Sequence, residues 1–435
     1  MQRPDASAAA LGGETHGAPT SAGGEDRGPA RGVAALLFWA MLVSYAGLGA
    51  LYAFMPSVGR ELGVPDALVA STASISSLIW FLVAPMWSQA SDRIGRKPII
   101  LVGCAGFAVS SALTALAIFI GLQAWVGPMT AFTAIVASRG VMGLFGFASQ
   151  PASQAYIADH TRQEERTKAL SLLTSAQGLG SILGPAIAPL MVLPIIGLAG
   201  PMFCYFVIGS ATLLLAALLI PSDRRVAAPA PPRPLLERLG IRGGFWGDPQ
   251  VGPFVWCSLW LGVASIVNAQ VIGFMIIDQT GLPPLRAQVY TSYVLMGGAA
   301  VSVIAQSVLI PMFRLQANRL LWAGFAIALI GNLVLAFARG VWPAAVGFGL
   351  ASLGYAFVRP GVAAGASLAA PDTRQGEVAG AVMAASIGGV VFAPGLALLI
   401  YQGWRDGPYL ANAVGLAAAL AFVRINPALR QAGQR

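Results

Sequence analysis

The sequence predicts an all-α transmembrane protein with twelve helices, arranged as two six-helix bundles related by pseudo-two-fold symmetry. The first observation is compositional: 57% of the 435 residues are hydrophobic and only 10% are charged. Soluble domains carry about 25% charged residues. The second is a series of apolar runs of about 20 residues, the length that crosses a bilayer. The third is a match between the two halves of the chain at a constant shift.

The apolar runs define the domain organisation. They occupy approximately residues 33–56, 67–90, 98–121, 129–158, 169–193, 200–220, 251–277, 286–310, 319–338, 342–370, 378–400 and 408–425. We therefore expect a disordered cytoplasmic tail at 1–32, an N-terminal bundle at 33–220, a cytoplasmic linker at 221–250, a C-terminal bundle at 251–425 and a cytoplasmic tail at 426–435. The linker is rich in Pro and Arg, and both a plain connection and a short interfacial helix fit it.

The basic residues predict the orientation. With the N-terminus in the cytoplasm, 20 of the 26 Lys and Arg residues fall in cytoplasmic segments and four in outer segments. Cytoplasmic loops of membrane proteins carry this excess of positive charge. The net charge of +9 therefore indicates topology, not nucleic-acid binding. Both termini are expected in the cytoplasm of a multi-pass protein of the inner (cytoplasmic) membrane.

The sequence offers no enzyme signature. Its three cysteines lie in apolar runs, and its two histidines, His16 and His160, are far apart. Neither arrangement is typical of a disulfide framework or a metal site. A nucleophile elbow, a phosphate loop and a zinc signature are also missing. We expect no enzymatic activity, no cofactor and no metal.

Span 4 carries a polar stripe. Arg139 lies ten residues into an apolar run, where a charge is costly and usually faces a protein interior or a water-filled cavity. Helical spacing places Gly143, Gly146, Gln150 and Gln154 on about the same face. The pattern predicts that this face lines a central cavity.

The two halves of the chain form a repeat. A shift of 209 residues superposes Gly140 on Gly349, Pro151 on Pro360, Gly180 on Gly389 and Pro185 on Pro394. Parallel repeats with a site between them are a known transporter architecture. The same shift aligns Arg359 with Gln150, eleven residues beyond Arg139. Eleven residues of helix rise roughly 16 Å, so we expect the two arginines at different depths on facing helices.

The loop between spans 2 and 3, SQASDRIGRKP at 88–98, holds one carboxylate among three cations. By itself it is also compatible with an ordinary cytoplasmic loop. It closely resembles the signature loop of the major facilitator superfamily, although Ser88 and Ala90 depart from the pattern. The matching residues are Asp92, Arg93, Gly95, Arg96 and Lys97. The resemblance implies that the aspartate meets the loop arginines and the start of span 11, latching the outward-facing state. The second copy, PMFRLQANR, lacks the aspartate.

Two further motifs resemble the drug:proton antiporter branch of that superfamily. Arg139 and Gly143 match its span 4 motif, R-x-x-q-G, with Met142 at the polar position. Gly180, Gly184 and Pro185 match the core of the span 5 antiporter motif, but Ala188 and Pro189 replace its two glycines. A structural buried cation and a generic packing face of small residues are the alternatives. The resemblance covers residues 33–425 and implies export.

Acidic residues are missing from the middle of the spans. Asp159 and Asp278, at span ends, are therefore the candidates for proton coupling. Two interior cations, Arg139 and Arg359, would favour an anionic guest. The expected cavity residues are Tyr45, Arg139, Gln150, Gln154, Asn268, Gln270, Tyr355 and Arg359.

The sequence thus predicts a secondary active transporter that exports a small, drug-like organic compound by proton antiport with alternating access. An organic-anion transporter that uses Arg139 and Arg359 is the alternative, and a transporter-like membrane sensor is a remote one. Expected partners are the organic substrate, protons and the lipid bilayer, with a monomeric protein. Arg359 is expected to contact substrate, and Arg139 to govern the conformational or proton step, as the family's span 4 arginine is thought to do.

Overall fold

The computed structural model describes residues 31–161, 163–222, 245–313, 316–370 and 374–432. It contains twelve long helices, numbered here in chain order: Arg31–Leu62 (α1), Asp66–Ile94 (α2), Arg96–Leu122 (α3), Pro128–Asp159 (α4), Gln163–Ile187 (α5), Gly200–Leu219 (α6), Gly252–Thr280 (α7), Pro284–Phe313 (α8), Ala317–Phe337 (α9), Val341–Ala369 (α10), Gln375–Gly403 (α11) and Gly407–Ile425 (α12).

Eleven of these helices are long and apolar enough to cross a membrane. The exception is α5, which has 25 residues but begins with the charged sequence QEERTK. Its start at Gln163 lies six residues before the predicted apolar run because this charged segment is also helical. The described residues form no β-strand; two of them, Leu193 and Gly197, make an isolated bridge. The predicted all-α, twelve-helix fold is confirmed.

The helices pack as two sets of six. In the first set α1 packs on α5 and α3 on α6; in the second, α9 packs on both α10 and α12, and α7 on α11. The two sets meet where α2 packs on α11 and α5 on α8. We call the end where α1 begins and α12 finishes the proximal end, and the end where α1 finishes the distal end.

Glycines bring helices together in the same way in both halves. A Cβ atom on Gly180 or Gly184 of α5 would collide with the α1 backbone at Leu42 or Ala46. A Cβ on Gly389, the repeat partner of Gly180, would lie 2.9 Å from the backbone nitrogen of Val263 in α7. Only a residue without a side chain permits such approaches. The sequence repeat therefore corresponds to a repeat in helix packing.

Two helices contain a π-turn, at Met142–Gly146 in α4 and at Ala305–Leu309 in α8. A π-turn inserts one extra residue, which rotates the following part of the helix by about 100° relative to a regular α-helix. The predicted stripe from Arg139 to Gln154 therefore does not lie on one regular α-helix, because Gln150 and Gln154 follow the insertion.

The ends of the chain and of the linker pack on the second bundle where they are described. Phe245 is buried, and the indole of Trp246 makes an edge contact with Trp256 at 5.0 Å between ring centroids. After α12 a short helix, Pro427–Arg430, buries Leu429, and the Asn318 N–H donates to the Ala432 carbonyl. The predicted tail at 426–435 thus folds back on the bundle as far as it is described. The tail at 1–30 and most of the linker, 223–244, lie outside the described residues.

Candidate functional site

Two neighbouring helices hold the backbone around Arg139 in place. The Ser76 hydroxyl of α2 donates to the Arg139 carbonyl at 2.9 Å, and Ser110 of α3 donates to the Ser138 carbonyl at 2.7 Å. A Cβ on Gly143 would lie 2.5 Å from the Ser76 carbonyl oxygen, so α4 approaches α2 closely just beyond the arginine. These contacts fix the point from which the Arg139 side chain extends.

The guanidinium of Arg139 is buried without a counter-ion. The residue is 5% exposed, and its Nε has no hydrogen-bond partner. No described carboxylate forms an ion pair with it. The Tyr52 hydroxyl of α1 lies close enough to interact electrostatically with this guanidinium. An unpaired buried cation is costly, so such a group is a functional-site candidate.

Arg359, in contrast, is accessible. It lies well inside the 29-residue helix α10, yet it is exposed. Its guanidinium lies near the Tyr45 hydroxyl, which belongs to α1 of the other bundle. The Tyr45 hydroxyl is also within hydrogen-bonding reach of Gln150. A cation that is both accessible and close to the opposite bundle must face a cavity between the bundles.

The two arginines lie at different depths. Arg359 neighbours Tyr45 and Arg139 neighbours Tyr52. These tyrosines are seven residues apart on α1, two helical turns or about 10 Å. The repeat aligned Arg359 with Gln150, and both side chains are indeed near Tyr45. The two cations thus lie at different levels along α1, Arg359 toward the proximal end and Arg139 toward the distal end.

Asn268 and Tyr355 lie away from this cavity. Asn268 and Asn332 each donate an amide hydrogen to the Tyr355 hydroxyl, at 3.0 and 2.9 Å. Asn412 of α12 donates to the Asn268 carbonyl oxygen at 3.0 Å. All four residues are buried and belong to the second bundle, which explains why their polar groups pair with one another. In this conformation they form the interior of the bundle, not the wall of the cavity.

The two remaining predicted cavity residues differ in their exposure. Gln270 is buried, with 5% of its surface exposed, whereas Gln154 is half-buried on α4. Sequence reasoning missed Asn332 and Asn412, which complete the buried network. The signal was available, since each is an isolated amide in an apolar span.

The predicted latch residues form a cluster at the proximal end. Arg96 donates to Asp92 at 2.5 Å and to Asp159 at 3.0 Å, which links the start of α3 to the ends of α2 and α4. Lys97 donates to the Ala217 carbonyl at 2.9 Å, and Arg93 is exposed. Gly95 has φ 100°, a conformation that favours glycine and permits the sharp turn. The side chains at 375–377, where α11 begins, lie outside the described set, so the contact between Asp92 and α11 remains a prediction.

A second charged cluster joins the bundles at the distal end. Arg60 of α1 pairs with Asp66 of α2 at 2.6 Å and with Asp278 of α7 at 3.1 Å. The Tyr401 hydroxyl of α11 donates to Asp278 at 3.0 Å. Nearby, the Ser57 hydroxyl donates to the Pro284 carbonyl of α8 at 2.7 Å. These contacts join the two bundles at the distal end.

Two helical bundles, with an accessible cation between them and ion pairs that join them at the distal end, are typical of a membrane transport protein. The family comparison agrees: the sequence model of the Major Facilitator Superfamily matches residues 37–341. The chain belongs to this superfamily.

Curated relatives match parts of the chain. A tetracycline resistance protein, class C, of Escherichia coli is 28% identical over 182 residues, covering 41% of this chain and 42% of the relative. A probable triacylglyceride transporter of Mycobacterium leprae is 34% identical over 134 residues, covering 30% of this chain and 25% of the relative. The matched segments therefore span less than half the length of these relatives.

Solved structures support the fold over nearly the whole chain. A human organic anion transporter superposes with a TM-score of 0.66 and 16% identity, covering 90% of this chain and 99% of that one. A D-xylose-proton symporter superposes with a TM-score of 0.71 and 15% identity, covering 92% of this chain and 98% of that one. At these identities the likeness shows the fold alone.

Proposed function

We propose that this protein is a secondary active transporter that exports a small organic compound by alternating access. The observation that carries the proposal is Arg359, a cation accessible between the two bundles beside Tyr45 and Gln150. Binding sites of transporters with this architecture lie near the bilayer midplane between the repeats. The cluster formed by Arg60, Asp66 and Asp278 joins the bundles at the distal end, which supports a conformation closed on that side.

We propose export as the direction of transport. The excess of basic residues favours a proximal end, with both termini, in the cytoplasm of the inner membrane. With that orientation the distal ion pairs join the bundles on the outer side. The tetracycline resistance protein among the relatives is consistent with export of a drug-like compound. We propose a monomer as the transporting unit.

Proton antiport would use the acids at the helix ends. Every described acid lies near the end of a helix or in a loop, and Asp159 and Asp278 each pair with an arginine. Protonation would weaken either pair, and would thereby change a contact between helices. A proton gradient could drive the cycle through these contacts.

An organic anion is the second candidate substrate. Two guanidinium groups face α1 from α4 and α10, and no described carboxylate pairs with either one. An anion entering the cavity would compensate this charge, whereas a cation would add to it. The structural likeness to a human organic anion transporter agrees with this candidate but shows only the fold.

Uptake into everted vesicles tests the function. Vesicles containing the protein are given a panel of matched anionic, neutral and cationic organic compounds, with and without an imposed pH gradient. We expect accumulation of one charge class that collapses when the gradient is dissipated. The test variant is Arg359→Ala, which should lose this uptake. The matched control is Arg319→Ala, which removes an exposed cation at the start of α9. Uptake that is independent of the gradient would contradict antiport, and absence of uptake for every class would contradict the function.

A further inference from the structure

The second bundle contains a cavity of about 620 Å³ at its proximal end, called here the proximal cavity. Its wall consists of the chain just before α7, the start of α7, the ends of α10 and α12, and the short helix after α12. All of these elements belong to the second bundle or pack on it, so rocking of one bundle against the other leaves the cavity intact. Pockets of roughly 300–1,000 Å³ hold a drug-sized molecule.

The proximal cavity is separate from the cavity between the bundles. Gly365 lines it and lies six residues after Arg359 on α10. Six residues advance a helix by about 9 Å and turn it by about 240°, so the two residues lie at different levels and on different faces of α10. A Cβ atom on Gly365 would collide with the Phe254 ring of α7, which places this face of α10 inside the second bundle.

A tightly wound segment before α7 holds an aromatic and an acidic side chain in the cavity wall. The Asp248 N–H donates to the Phe245 carbonyl at 3.3 Å, and the Gly252 N–H donates to the Asp248 carbonyl at 2.9 Å. Phe245 is buried, which anchors the start of the segment. A Cβ atom on Gly252 would lie 2.8 Å from the Phe245 carbonyl oxygen. The backbone of this segment therefore determines where Trp246 and Asp248 lie.

Asp248 is the one charged residue among the described residues that line the proximal cavity. Its Oδ1 atom accepts the backbone N–H groups of Gln250 at 2.8 Å and Val251 at 3.0 Å. No described cation forms an ion pair with it. The carboxylate is thus held in place through one oxygen and gives the cavity wall a negative charge.

Two indole rings line the same cavity. Trp246 and Trp256 meet edge to face, with 5.0 Å between their ring centroids and an angle of 79° between their planes. This geometry leaves at least one face of each ring uncovered by the other, and Trp256 is 42% exposed. The face of an indole ring attracts a cation. The Arg374 guanidinium already packs in this way on Phe245, 4.5 Å from the ring centroid.

We propose that the proximal cavity is a second binding site, which takes an organic ammonium ion with an apolar body. The positive group would lie between the Asp248 carboxylate and the indole rings, and the apolar body would pack on Phe254 and Phe422. Arg139 and Arg359 disfavour such an ion between the bundles, so the two sites prefer opposite charges. The ammonium group can belong to a free amine or to the headgroup of an aminophospholipid. The inference goes beyond the proposed function, because this site lies apart from the transport cavity.

Titration calorimetry of the full chain in a nonionic detergent tests the site. The probe is benzyltrimethylammonium, and protein-free micelles give the blank. The comparison compounds are neopentylbenzene, in which carbon replaces the charged nitrogen, and benzenesulfonate, which carries the opposite charge. We expect the ammonium ion to bind about ten-fold more tightly than either compound, because only its charge suits the carboxylate and the ring faces.

Substitutions locate the bound probe. Asp248→Asn removes the charge but keeps an oxygen that can accept the two backbone N–H groups, so the start of α7 should not change. It should weaken binding of benzyltrimethylammonium by about five-fold. Trp256→Phe keeps an aromatic ring with a weaker attraction for cations, and should weaken binding by about two-fold. The matched control is Asp406→Asn, which removes a distal carboxylate just before α12 and should leave the affinity unchanged.

Lipid composition identifies the source of the ammonium group. The same titration is made in nanodiscs of phosphatidylglycerol alone and in nanodiscs that also contain phosphatidylethanolamine. Weaker probe binding in the second kind, which disappears in Asp248→Asn, would support the site with a lipid headgroup as its ligand. Equal affinity in both kinds would support it with a free amine as its ligand.

Three results would overturn the inference. The first is equal affinity for benzyltrimethylammonium and neopentylbenzene, which would show that the cavity does not recognise charge. The second is an affinity for the ammonium ion that Asp248→Asn leaves unchanged, which would place the bound probe elsewhere. The third is no measurable binding either in detergent or in phosphatidylglycerol nanodiscs. None of these results bears on export through the cavity between the bundles.

Discussion

The two bundles differ in how their interior polar residues are hydrogen-bonded and exposed. In the first bundle Arg139 is buried and unpaired on the helix that faces α1. In the second bundle Asn268, Asn332 and Asn412 form a hydrogen-bonded network with Tyr355, and the cation Arg359 is accessible. Although the sequence repeat relates α4 to α10, only α4 has a π-turn. The halves of a repeat can thus share packing glycines while their polar chemistry diverges.

This difference suggests a division of roles. An accessible cation can bind a guest without a change in the fold, whereas a buried unpaired cation changes its energy whenever the surrounding helices move. We therefore propose that Arg359 binds the substrate and that Arg139 acts in the conformational step. The following predictions test this division, from the largest expected effect to the smallest.

Removing the accessible cation should have the largest effect. Arg359→Ala is expected to weaken equilibrium binding of the transported compound by about 30-fold, the loss of hydrogen bonds to a charged group. Arg359→Lys should recover part of this affinity, because it keeps the charge but loses the forked geometry. Isothermal titration of the purified protein measures both. Unchanged affinity of every anion and cation for Arg359→Ala would show that Arg359 is only structural.

The buried cation should affect turnover. Arg139→Lys is expected to slow transport by about ten-fold, equivalent to a barrier increase of about 1.4 kcal/mol, while the dissociation constant changes less than three-fold. Ser76 and Ser110 still hold the α4 backbone, so the helix position should not change. Single-turnover transport and titration on the same preparation separate the two effects. A loss of affinity without a loss of rate would reverse the assigned roles.

The buried network should contribute to stability. Tyr355→Phe leaves the amides of Asn268 and Asn332 without their acceptor, and should lower the free energy of unfolding by about 1–2 kcal/mol. Tyr409→Phe is the matched control, because the Tyr409 hydroxyl is buried without a partner and its loss should be neutral or stabilising. Thermal unfolding in detergent compares them. Equal melting temperatures would mean that the network does not stabilise the bundle.

The smallest effect is expected at the proximal cluster. Asp92→Asn removes one of the two carboxylates of Arg96, while Asp159 remains. A partly exposed ion pair contributes about 0.2–1 kcal/mol, so transport should slow by at most a few-fold and binding should be unchanged. Initial rates and titration measure these quantities. Loss of equilibrium binding with unchanged bundle distances would contradict a latch.

The helices, the repeat and both interior arginines were predicted from the sequence, because a run of apolar residues and a charge inside it are visible without knowledge of the packing. It did not predict the π-turn, since Gly143 and Gly146 are equally compatible with a regular helix. The burial of Asn268 and Tyr355 also escaped prediction. Whether a polar residue faces the cavity or the bundle interior depends on the rotation of its helix. Asn268 and Tyr355 face the interior, where they bond to Asn412 and Asn332 on other helices. The sequence of a single span does not show such contacts between helices.

Cysteine accessibility tests the location of the cavity most directly. In a background without the three native cysteines, Gln150→Cys and Asn268→Cys are treated in everted vesicles with a membrane-impermeant maleimide. We expect that Gln150→Cys is labelled and that the transported compound protects it, whereas Asn268→Cys is not labelled. Labelling of Asn268→Cys with protection by the compound, and no protection at Gln150→Cys, would contradict this location of the cavity.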